Sequence, residues 1–195
     1  MRVFMIFLQI VLFPFSVFII SFLVNKFIAK PDSNLYKFTS ATNFAVAGYI
    51  LGGFLLFPLW FLFKPVKIDG VTYLLGNNLI AYWAVSFVII TPLVIGFCAY
   101  IFYFKKIECA NIIKDAILIG LYQVPLGWIF EIVIYVYWRK TIPTIHDYFF
   151  GKNYPWIMIN WAIGAIIPLI LAIILRYKKT KHEIRSRRRP IYYSC

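Results

Sequence analysis

The chain has 195 residues, of which 63% are hydrophobic and only 14% charged, where a soluble domain is about half apolar and about a quarter charged. A soluble fold is nearly excluded, and no length is left for a soluble catalytic domain beside a membrane bundle. The net charge of +13 does not describe a nucleic-acid surface, because the basic residues sit at the ends of apolar runs, where they set membrane topology.

Reading between charges, the expected architecture is all-α: a polytopic membrane protein with a five-transmembrane-helix bundle over residues 1–175. The spans are expected at about 3–27, 41–63, 79–104, 112–138 and 155–175. Each can cross about 30 Å of hydrocarbon at 1.5 Å per residue. The first run follows Arg2 but does not read as a cleaved signal peptide. It is long, Phe27 spoils the small-residue pattern upstream of Ala29, and cleavage would leave four spans with the basic tail outside. The second carries Gly48 and Gly52, a small-xxx-small pair expected to pack helices within the protomer or across a homo-oligomer. The fourth meets Glu131 only about 22 Å after Asp115, so its helix must continue through Glu131 to about Trp138. Pro155 opens the fifth. Each span also holds an internal proline, Pro14, Pro58, Pro92, Pro125 or Pro168, which bends a helix and leaves either a cavity or a tolerated kink.

Residues 176–195 form a basic cytoplasmic tail with Arg176, Lys178, Lys179, Lys181 and the run Arg185 to Arg189. Placing it inside also brings Lys26, Lys30, Lys37, Lys105, Lys106 and Lys114 inside, and leaves Arg2, Lys64, Lys67, Arg139, Lys140 and Lys152 outside. The N-terminus is then external and the C-terminus cytoplasmic. All six tryptophans, Trp60, Trp83, Trp128, Trp138, Trp156 and Trp161, fall in the outer half, as an interfacial girdle or as the wall of an outward-facing pocket. With no organelle signal, the expected site is the plasma (inner) membrane, with the 176–189 segment held at its anionic inner leaflet.

Glu131 is the most informative position, since an ionisable group inside a span is costly and faces a partner or a wet cavity. Asn160 is expected at similar depth on a neighbouring helix, within hydrogen-bonding reach of Glu131. Gln123, about 80° away around the helix, would share its polar flank. These three with Trp128 and Trp161 form the candidate ligand-binding set. The plain alternative is interhelical glue at roughly 0.6–2 kcal/mol per contact. His146 and Asp147, in the loop above, join Glu131 as candidate acid and base groups if the protein acts on a lipid or isoprenoid. Asn111 and Asp115 read as a helix cap with a first-turn carboxylate rather than as half of a diphosphate-binding motif. Cys98, Cys109 and Cys195 are too far apart for a metal or redox motif, and no metal, cofactor or nucleic-acid site is expected. The first expectation is therefore a non-enzymatic bundle that binds or passes a small amphipathic molecule or a proton at Glu131 and Asn160. A membrane-embedded enzyme and a structural or immunity-type subunit are the alternatives.

Overall fold

The computed structural model describes residues 2–31, 33–68, 71–107, 111–138, 142–151 and 155–187, with backbone alone for 2–11, 67, 71–73 and 182–187. Cys109, Cys195, Arg139, Lys140, Lys152, Arg188 and Arg189 lie outside these residues, and the side chains of Arg185 and Arg187 are likewise not described.

Among the described residues the only strands are those of one short hairpin, and the rest is mainly helical. Four helices among the described residues are long and apolar enough to cross a membrane: α2 (Asn34–Leu62), α3 (Gly76–Phe104), α4 (Ile112–Trp138) and α6 (Trp156–Arg187), the last apolar over its first part. Ahead of them runs α1 (Arg2–Phe27), whose described apolar part is Leu12–Phe27. The short helix α5 (Ile145–Phe150) links α4 to α6, and strands β1 (Val66–Ile68) and β2 (Val71–Tyr73) link α2 to α3.

Several ends differ from the expected ones for local reasons. Ser33 caps α2 by accepting from the Tyr36 N–H at 3.1 Å, so the helix starts well before residue 41. Lysine and arginine are good helix formers, so α6 does not stop where the apolar run ends at Leu175 but carries the first part of the basic tail to Arg187. The hairpin pairs Val66 with Tyr73 and Ile68 with Val71; β-branched residues flank an Asp-Gly dipeptide there, a strong hairpin signal. Gly76 opens α3 at φ 55, a value glycine adopts without strain.

The helix directions follow from side-chain pairs. Trp60 meets Tyr82 and a Cβ on Gly48 would touch Ile95, so α2 and α3 are antiparallel. Gly120 faces Ala165 and Gly127 faces Trp161, so α4 and α6 are antiparallel. Phe87–Trp156 and Thr91–Asn160 make α3 and α6 parallel, while Thr42–Tyr122 and Tyr49–Phe130 make α2 and α4 parallel. The four close into a ring α2–α3–α6–α4. Helix α1 lies antiparallel along α2, touching α4 through Phe13–Phe130 and α3 through Phe18–Phe102. One end of the bundle, here the aromatic end, carries the hairpin, α5 and the tryptophans. The other, the basic end, carries the α1–α2 turn and most of the described lysines, Lys64 and Lys67 standing at the hairpin.

The hub is the first half of α2, where Thr39 to Gly48 are buried without interruption. Phe44, Ala45 and Ala47 pack there with Val94, Cys98, Ala99, Tyr103 and Ile119, and Val46 packs with Phe130 and Ile134. With no hydrophobic force between helices in lipid, close approach comes from small residues. A Cβ at Gly120 would overlap the Ala165 carbonyl oxygen, and one at Gly127 the Trp161 ring. Gly48 packs inside the protomer against Ile95, while no described residue lies near the corresponding position of Gly52.

Between α1 and α2, near the basic end, the bundle holds a polar cluster. The Asn25 Nδ2 donates to Thr39 Oγ1 at 2.8 Å, to Ser40 Oγ at 3.0 Å and to the Tyr36 carbonyl at 3.1 Å. One turn away, the Ser21 hydroxyl donates to Asn43 Oδ1. All five side chains are buried, and only Asn43 Nδ2 among them has no acceptor among the described residues.

Candidate functional site

Glu131 is the last α-helical residue of α4; from Ile132 to Trp138 the ladder widens into π turns. Such a change re-aims the side chains beside it and is common at functional sites. After α4 the chain folds straight back, with the Ile142 N–H donating to the Tyr135 carbonyl at 3.2 Å. Thr144 then caps α5: the Asp147 N–H donates to Thr144 Oγ1 at 3.1 Å, and the Thr144 hydroxyl donates to Asp147 Oδ2 at 2.7 Å.

This return places Tyr148, 2% exposed, over Glu131. The Tyr148 hydroxyl donates to Glu131 Oε2, and Trp161 of α6 hydrogen-bonds to Tyr148 in turn. Burial pushes the Tyr148 phenol well above its ordinary range; the Glu131 charge and hydrogen bond add to that, and the Trp161 bond opposes it. Tyr148 therefore stays protonated, a permanent donor above the carboxyl group. Tyr49 and Tyr82 lie within electrostatic reach of Glu131. Beside Tyr148, Phe149 sets its ring edge-on to Trp128, centroids 5.2 Å apart. Helix α5 thus sets Tyr148 on Glu131 and Phe149 against Trp128.

The expected Glu131–Asn160 hydrogen bond is not the one formed. The Asn160 carboxamide oxygen accepts from Thr91 Oγ1 at 2.8 Å, with Ser86 Oγ at 3.5 Å. Equal depth on neighbouring helices does not decide which face a side chain takes, and Asn160 faces α3. Gln123 is buried at 2% exposure, and its amide abuts Gly164 of α6 about two turns below Glu131. Of the predicted ligand set, Trp161 alone joins Glu131, through Tyr148. Trp128 stands beside the cover, and Gln123 and Asn160 lie along the seams that α6 makes with α4 and α3.

His146 and Asp147 do not assemble with Glu131. Both are exposed; Asp147 is the capping partner of Thr144, and His146 lies against the Phe150 ring with centroids 5.3 Å apart. Asn111 and Asp115 behave as a helix start, Asn111 Oδ1 accepting from the Lys114 N–H at 3.1 Å. No group of three metal-ligating side chains occurs among the described residues.

Tyr148 is the site residue that the sequence reading missed, and its signal was weak, since it depends on a loop turning back over its own helix. At the aromatic end an aromatic row runs Trp60, Tyr82, Trp83, Phe87, Trp156 across α2, α3 and α6. Three buried donors in this half and the seam below it, Trp83 Nε1, Trp128 Nε1 and Gln123 Nε2, have no acceptor among the described residues. The arrangement offers a carboxyl group beneath a hydrogen-bonded tyrosine, with the Trp128 N–H, one turn before it on α4 and unpartnered among the described residues, free to donate to an oxygen atom. The chain matches no protein-family model, no curated protein and no solved structure.

Proposed function

We propose that the chain is a non-enzymatic, multi-pass protein of the plasma (inner) membrane that binds or passes a small amphipathic molecule or a proton at Glu131. In this reading α1 is a fifth span, the N-terminus is outside, and the C-terminus is cytoplasmic. Support for that topology comes from the antiparallel succession of helices, which puts the two chain ends at opposite ends of the bundle, and from Lys26, Lys30, Lys37, Lys105, Lys106, Lys114 and Arg176 all falling at the end where the chain finishes. The basic extension of α6 then lies at an anionic inner leaflet.

The observation that carries the functional reading is the origin of the group that holds Glu131. Polar residues that only fasten a bundle bond to another spanning helix, as Asn160 bonds to Thr91. Glu131 bonds instead to Tyr148, on a helix of six residues outside the spans. That contact can open without separating any two spanning helices, exposing the carboxyl group and leaving the nearby indole donors in place. The enzyme reading has less support, since His146 and Asp147 face away from Glu131.

Native mass spectrometry of the protein in mild detergent, wild type against Glu131→Gln, tests this reading. A discrete added mass on wild type that is missing from the folded variant is the expected result. Bare protein in both, with the variant less heat-stable, would reduce Glu131 to interhelical glue.

A further inference from the structure

At the basic end, far from Glu131, a groove of about 390 Å³ opens between the start of α4 and the apolar limit of α6, lined by Asn111, Ile113, Lys114, Ile117, Leu118 and Arg176. Its lining is sorted along the helix axis. Asn111 and Lys114 stand in the first turn of α4, and Arg176 sits where the apolar run of α6 gives way to its basic extension. Ile117 lies one turn inward from Ile113, and Leu118 one turn inward from Lys114, so the wall becomes apolar toward the middle of the bundle. The first turn of a helix also carries partial positive charge and N–H groups with no acceptor inside the helix. Asn111 Oδ1 takes the Lys114 N–H and does not neutralise that end. Asp115, the acid nearest in sequence among the described residues, is not part of the lining.

We propose that this groove holds one anionic phospholipid from the leaflet at the basic end. The phosphate sits between Lys114, Arg176 and the first turn of α4, and the upper acyl chain lies along Ile113, Ile117 and Leu118. A free phosphate would use the two cations but not the apolar half of the lining, whereas a zwitterionic lipid would use the apolar half and bring its own cation against Lys114 and Arg176. The proposal rests on the reading that the bundle spans a membrane, and not on any role of Glu131.

The test is competition between phosphatidylglycerol and phosphatidylcholine, supplied in equal amounts to the full-length protein and read as retained lipid by native mass spectrometry. The expected result is a preference for phosphatidylglycerol that falls about tenfold or more in Lys114→Gln/Arg176→Gln and stays unchanged in Lys178→Gln/Lys179→Gln, which removes equal charge from α6 outside the groove. Arg176→Gln alone should give an intermediate loss, and serves if the double variant fails to fold. An equal fall in both double variants would show a diffuse basic surface and overturn the proposal. So would the absence of any preference, or displacement of the lipid by inorganic phosphate. Failure of the membrane reading itself is separate: a cysteine at Ser186 labelled from outside intact cells would invert the topology whatever the lipid result.

Discussion

Between α1 and α2, an asparagine reaches three acceptors and a serine one, all from helices of the bundle itself. At the opposite end, Glu131 is answered by one tyrosine from a six-residue helix outside the spans, and the Trp128 indole one turn away has no acceptor among the described residues. Both regions set polar groups among apolar helices, but the bonds of the first run between two long helices, with Asn43 Nδ2 left without an acceptor among the described residues, whereas that of the second reaches a six-residue helix. The α1–α2 cluster is what interhelical fastening looks like in this protein. Glu131, an acid within an apolar run, is held by a short helix rather than by a second long one, and the proposed function takes that helix as the part that opens.

This contrast can be broken by mutation. The largest effect is expected away from both regions, at the α4–α6 seam that supports the cover: Gly120→Val would drive a side chain into the Ala165 carbonyl, which cannot turn aside as a side chain can. A loss at or above the upper end of about 1–3 kcal/mol is expected, read as a lower unfolding temperature in detergent; an unchanged temperature would mean that the seam is looser than the structure shows. Asn25→Ala comes next, removing a donor from three acceptors. Its expected cost is about 1–2 kcal/mol, with no change in any mass carried at Glu131. Loss of that mass in folded Asn25→Ala would erase the distinction between the two regions.

How far each region could be read from the residues follows from what decides it. Charges and caps mark where apolar runs begin and end: α4 runs from Ile112, after the Asn111 cap, to Trp138, and α3 ends at Phe104, before Lys105. They do not mark where a helix ends if the next residues are also helix formers, which is why α6 outruns Leu175. The polar cluster was accessible in principle: Ser21 and Asn25 are one turn apart on α1, and Thr39 and Asn43 one turn apart on α2, joined by a short turn. Glu131 itself stands out because it is an acid in an apolar run. Its partner does not, since Asn160 and Tyr148 compete for it through helix rotation and loop path, neither of which a 3.6-residue period records.

The central claim is that the cover over Glu131 opens while the α1–α2 cluster does not. Hydrogen–deuterium exchange of the intact protein, comparing amides of α5 with those of Thr39 to Gly48 in wild type and in Glu131→Gln, measures this directly. The account predicts faster exchange in α5 than in α2 in the wild type, and a further acceleration of about tenfold in α5 alone when Glu131→Gln weakens its hold on Tyr148. Equal protection of α5 and α2, unmoved by Glu131→Gln, would contradict it.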